Sequence, residues 1–179
     1  MSTTTLPAGL TAGTYTIDPS HSEVGFTVRH LMSKVRGSFE KFEGRLVTGA
    51  APSATATIDL NSIDTRDEQR DGHLRSADFF DVENSGQMTF TTTSFDGTTA
   101  VGELTIKGVT KPVELEVEFL GIGQDPWGGQ RLGFEATTVI SRKDWGVDFN
   151  IPLDGGKVLI GDNVSIHLAV EAVLDKPEA

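Results

Sequence analysis

The sequence predicts an all-β chain, an antiparallel barrel of about eight strands with one short helix. Apolar residues fall on every second position in segment after segment, the period of a strand with one buried face. In the most regular segment, Val113, Leu115, Val117 and Phe119 alternate with Glu114, Glu116 and Glu118. A sheet covered on both faces would not place acids at every second position, so one face is solvated. Twenty glycines and ten phenylalanines among 179 residues, with many threonines and valines, favour β-structure with tight turns. No second layer is available to cover an open sheet, whereas closure into a barrel removes exposed edges.

Taken in order, residues 1–12 read as a flexible lead and residues 13–175 as one domain. Thr14 to Ile17 form a short strand, stopped by the turn signal Asp18-Pro19-Ser20. Val24, Phe26 and Val28 alternate with Glu23, Gly25, Thr27 and Arg29, and a second segment runs from Lys34 to about Val47. Phe39 and Phe42 are three apart there, which breaks the period of two, and a β-bulge near Glu40 and Lys41 restores it. Such a bent strand curls a sheet toward a barrel. Ala54, Ala56, Ile58 and Leu60 give the next strand.

Thr65-Arg66-Asp67-Glu68 has capping-box spacing, and a polar helix of about three turns is expected to Arg75, outside or across an open end. The pair Phe79-Phe80 marks a turn pinned to a core. Further strands are expected near 88–93, 101–107, 113–120, 132–141 and 164–173. The turn signals between them include Asp96-Gly97, residues 108–112, residues 125–129 and residues 153–156.

Several function classes are disfavoured. A formal net charge of −11 opposes binding to nucleic acid or anionic membrane in general. The absence of cysteine removes disulfides, thiolate chemistry and zinc–sulfur sites. There is no apolar run of membrane-spanning length and no secretory signal, so a cytoplasmic location is expected. His21, His30, His73 and His167 lack metal-site spacing, and Asp18, Ser20 and His21 lack a nucleophile elbow. No catalysis and no cofactor are expected; Gly155-Gly156 is followed by no helix and makes no phosphate loop.

Five stretches, in this order, carry a resemblance: IDPSHSEVGFTVRHLMSKVRGSFEKFEGRL, RDGHLRSADFFDVENSGQMTF, VGELTIKGVTKPVELEVEF, FEATTVISRKDWGV and IGDNVSIHLAVEA. Together, spanning roughly residues 14–172, they resemble the YceI-like family of polyisoprenoid-binding proteins. The resemblance implies a lipocalin-like extended barrel whose apolar tunnel holds an isoprenoid chain, a quinone or a fatty-acid-like lipid. It also suggests a homodimer, and many relatives are periplasmic.

The inward set Val24, Phe26, Val28, Phe39, Phe90, Ile106, Leu115, Val117, Phe119, Phe134 and Ile140 would alternate identically in a dry core and in a tunnel lining. The resemblance favours the lining. His30 continues the inward face of Val24, Phe26 and Val28, as a satisfied buried histidine or a head-group partner. Among the cations Arg29, Lys34, Arg36, Lys41 and Arg45, Lys34 and Arg36 lie nearest the bend and best suit a phosphate or carbonyl head group, unless they are solvated outward positions. Trp145 is either a lid beside an Arg142–Asp144 ion pair or a packed tryptophan in a surface turn. Three classes stay open: a lipid carrier, a structural or partner-binding barrel with a filled core, and an enzyme acting on a lipid head group.

Overall fold

The computed structural model describes residues 9–176. Its strands are β1 (Gly13–Ile17), β2 (Glu23–His30), β3 (Ser33–Phe39), β4 (Phe42–Thr48), β5 (Ser53–Asp59), β6 (Ile63–Asp64), β7 (Gln87–Phe95), β8 (Thr99–Ile106), β9 (Val109–Gln124), β10 (Gln130–Ser141) and β11 (Ile160–Leu174). All pairings are antiparallel, in the order β1-β4-β5-β7-β8-β9-β10-β11-β2-β3-β6, and β1 pairs β11 to close the circle. Residues 1–8 of the expected lead lie outside the described residues. Leu10 packs against Tyr15, Leu132 and Ala172, and the Thr11 N–H donates to Gln130 Oε1 at 3.0 Å.

Eleven segments make eight staves because three staves are interrupted. β1 and β2 are two halves of one stave, both paired to β11 and separated by a 3-10 turn at Pro19–His21. β3 and β4 break at Glu40 and Lys41, where the irregular spacing of Phe39 and Phe42 predicted a bulge. The freed groups find other partners: the Glu40 N–H donates to Ser62 O, and the Asp59 N–H to Lys41 O. β6 continues β5 beyond a 3-10 turn at Leu60–Ser62 and pairs β3 through Phe39 and Ile63.

The expected turn at 108–112 is placed differently. The hairpin closes at Lys107 and Gly108, both with positive φ (54° and 76°), and Pro112 lies inside β9 opposite Glu103. Proline is tolerated there because β9 pairs β10 only from Glu116 onward, so residues 109–115 have no ladder on that side. A 3-10 turn, Arg142–Trp145, packs into this gap against β9 and β11.

The helix α1 (Glu68–Arg75) is eight residues long, shorter than expected. Asp67, rather than Thr65, caps it, its carboxylate accepting from the Arg70 N–H at 3.0 Å. Thr65 instead donates its N–H to Asp71 inside the helix, at 2.9 Å. This fastens α1 across one end of the barrel.

Candidate functional site

Among the described residues, two apolar cavities lie in the barrel interior. The larger, about 280 Å³, lies at the α1 end. The smaller, about 140 Å³, lies toward the other end. A dry, fully plugged core would show neither.

Val24, Phe26, Val28 and His30 of β2 line the larger cavity with Phe39 of β3, Ile106 of β8 and Ile140 of β10. Phe90, Leu115, Val117, Phe119 and Phe134 line the smaller one. The alternation that selected these residues puts them all on the inward face. Three others are elsewhere. Lys34 and Arg36 project outward from β3 into solvent, one position out of phase with Val35, which lines the cavity. Trp145 is no lid: it is 3% exposed, and its indole N–H donates to Leu104 O at 2.9 Å, filling the gap between β9 and β10.

Much of the larger cavity's wall comes from residues that sequence reasoning did not assign to a binding site, although it placed the helix outside or across an open end and pinned Phe79-Phe80 to a core. Arg70, His73 and Leu74 of α1, then Phe79 and Phe80, close one side. Val147, Phe149 and Ile151 close another. These last three are two apart, a strand-like period that was legible within residues 147–151 although they sit in a loop.

Apart from the His30 ring, the polar side chains in this wall are engaged with protein groups. Arg142 does not pair with Asp144. Its Nε donates to Gly161 O at 2.9 Å, and Nη1 donates to Val147 O at 2.7 Å and Phe149 O at 3.0 Å. The guanidinium therefore staples the loop at 147–149 to the start of β11. Burial lowers its pKa, offset in part by the negative charges of Asp162 and Asp148. Arg70 donates to Thr65 Oγ1 at 2.8 Å and to Thr65 O at 2.7 Å. His73 lies 2.9 Å from Asp78 Oδ2, with its ring edge-on to Phe79 and Phe149 at 5.0 Å each. The ring of His30, which the satisfied-histidine reading would bond, makes no hydrogen bond among the described residues.

The lumen thus offers hydrocarbon and aromatic faces with the His30 ring among them, and Ile151, 45% exposed, and His73, its side chain 46% exposed, belong both to the lining and to the surface. The cavity meets solvent at that rim. Such a chamber can take an apolar tail by burial and leave a polar end outside.

The acid–hydroxyl–imidazole cluster is remote from the lumen and occupied. Asp18 accepts from the Ser20 N–H at 3.0 Å, and its other oxygen lies 2.9 Å from both His21 Nδ1 and Arg131 Nη1. Its pKa is held down to about 2, chiefly by Arg131 and then by His21. A carboxylate this stabilised is a poor base. Among the described residues no group of three or more His, Asp or Glu is placed to hold a metal ion, and no helix is long and apolar enough to cross a membrane.

Comparison with known proteins agrees with this architecture. A UPF0312 protein of Staphylococcus epidermidis is 40% identical over 167 residues, covering 90% of this chain and 98% of the relative. The crystal structure of Burkholderia cenocepacia BcnA superposes with a TM-score of 0.75 at 25% identity, over 87% of this chain and 98% of that one. A polyisoprenoid-binding domain from Saccharophagus degradans shares the fold, with a TM-score of 0.69 at 17% identity over 92% of this chain and all of that one. The YceI-like domain profile matches residues 15–172, and the chain belongs to the YceI-like family.

Proposed function

We propose that this protein binds an amphiphilic lipid with an isoprenoid-like tail, sequestering the tail in the larger cavity without chemical change. One observation carries the reading: an apolar void of about 280 Å³ inside a closed barrel, reaching solvent beside Ile151. Each buried methylene is worth about 0.8 kcal/mol, so affinity grows with tail length until the chamber is full. The description of the Saccharophagus domain as polyisoprenoid-binding supports the isoprenoid class. A quinone or a fatty-acid-like lipid would satisfy the same walls, because an apolar chamber selects width and length before chemistry. A cytoplasmic site of action and a homodimer belong to the same proposal, checked by fractionation and light scattering.

Mass spectrometry of an organic extract of the purified protein tests the function. A lipid present in near-stoichiometric amount is the expected result. A lipid-free extract, together with no uptake of a fluorescent isoprenoid or fatty-acid probe, would leave the filled-barrel reading in its place.

A further inference from the structure

The rim of the larger cavity breaks the usual rules of a protein surface. The turn joining β2 to β3 consists of Leu31 and Met32, which are 51% and 103% exposed. Leu31 has φ 53°, a left-handed conformation that favours glycine or asparagine and disfavours a branched side chain. Beside this tip lies the hairpin-like loop before β11, which presents Ile151 and Val158, 45% and 49% exposed. The two are joined: the Leu31 N–H donates to Leu159 O at 2.9 Å, and the Leu159 N–H to Ile151 O at 3.0 Å. Ile151 and Leu159 also line the cavity. The exposed crown and the lumen are therefore one continuous apolar surface.

From these observations we infer that the crown of Leu31, Met32, Ile151 and Val158 docks on the surface of an anionic lipid bilayer, through which the tail enters and leaves the barrel. The inference rests on the lipid-binding reading. Four large apolar side chains concentrated on two adjacent tips are the shape of a shallow bilayer anchor. A second copy of the chain would cap the mouth, whereas a bilayer supplies what the lumen takes.

Charge selects the kind of bilayer. In a chain of net charge −11, the hairpin formed by β2 and β3 carries Arg29, Lys34 and Arg36 and, from residue 24 to residue 39, no acid. Arg29 and Lys34 are cross-strand partners one pair behind His30 and Ser33 at the tip, and Arg36 lies two residues further on. None of the three makes an ion pair among the described residues. The neighbouring stretch before β11 carries Asp148 and Asp154 against the single cation Lys157, and Asp162 of β11 is paired with Lys143 at 3.4 Å, so the basic character belongs to the β2–β3 hairpin. The same basic residues, Lys34 and Arg36, that the sequence suggested for a ligand head group near the bend between the strands thus serve head groups of the membrane.

Flotation of the full chain with phosphatidylcholine vesicles, and with vesicles containing phosphatidylglycerol as well, tests this. The wild type is expected to float with the mixed vesicles, and Leu31→Asn with Met32→Asp to lose about tenfold in binding. Asparagine accepts the left-handed backbone at position 31, so this variant should melt no lower than the wild type. Lys34→Glu with Arg36→Glu should abolish the preference for phosphatidylglycerol, each reversed charge costing about fivefold or more. Wild-type protein that floats with neither vesicle, or variants that float equally well, would overturn the inference. So would a solution dimer that Leu31→Asn with Met32→Asp dissolves. Lipid extracted from wild-type protein that does not float would overturn docking and leave the lipid-binding reading intact; absence of any lipid or probe uptake would remove both.

Discussion

Gly37 shows how one missing methyl shapes the lumen. It faces Phe26 across the β2–β3 ladder, and a Cβ at this position would overlap the Phe26 ring and come within 2.9 Å of Thr65 Cγ2. Glycine lets the ring lie flat on the wall instead of standing in the lumen. Gly102 gives Phe90 the same seat in β8. Gly37→Ala should push the Phe26 ring inward, weakening uptake of a fluorescent apolar probe by about tenfold and lowering stability by about 1–3 kcal/mol. Probe titration beside a urea melt checks both, and unchanged affinity would show that the ring has somewhere else to go. The inward position of Phe26 was legible from its period of two. Its seat was not, because only the pairing register puts Gly37 opposite it.

At the scale of elements, one guanidinium ties together the seam that closes the barrel. Arg131 of β10 reaches Asp18 after β1 at 2.9 Å, Asp125 in the β9–β10 turn at 2.9 Å and Glu171 of β11 at 3.1 Å. Asp18 has a folded pKa of about 2 against about 3.9 for an unperturbed aspartate. Its folded pKa is the lower, so its contribution is complete above about pH 4, declines below that, and is gone below about pH 2. Asp18→Asn should therefore cost about 1 kcal/mol near pH 7, allowing for partial solvent screening, and almost nothing near pH 2. Urea midpoints of both proteins at the two pH values measure this; a gap that persists in acid would place the effect in packing. Alternation foretold the staves of this seam, and the turn signal foretold the break after Ile17. The cluster was hidden because Asp18 and Arg131 are 113 residues apart. For the same reason the start of β9 was misplaced: Pro112 reads as a turn until β10 is seen to leave that side of it unpaired.

Across the whole molecule the two cavities lie along one barrel with a septum between them. On β8, Ala100 lines the smaller cavity and Ile106 the larger, while Leu104 between them lines neither and is 6% exposed. Ile58 holds the same place on β5, between Ala56 and Ile63, and is also 6% exposed. On the proposed function, a tail entering beside Ile151 would fill the larger chamber and stop at Leu104. For a homologous series of ligands, affinity should rise with each methylene and level off once the tail reaches this septum. Leu104→Ala should remove about 2–4 kcal/mol of stability by opening a void, and it should move the plateau to longer tails by joining the chambers. Competition binding of isoprenols or fatty acids of graded length, on wild type and variant, decides the matter. A plateau at the same length in both would mean that the septum yields in the wild type and that tail length is set elsewhere in the barrel.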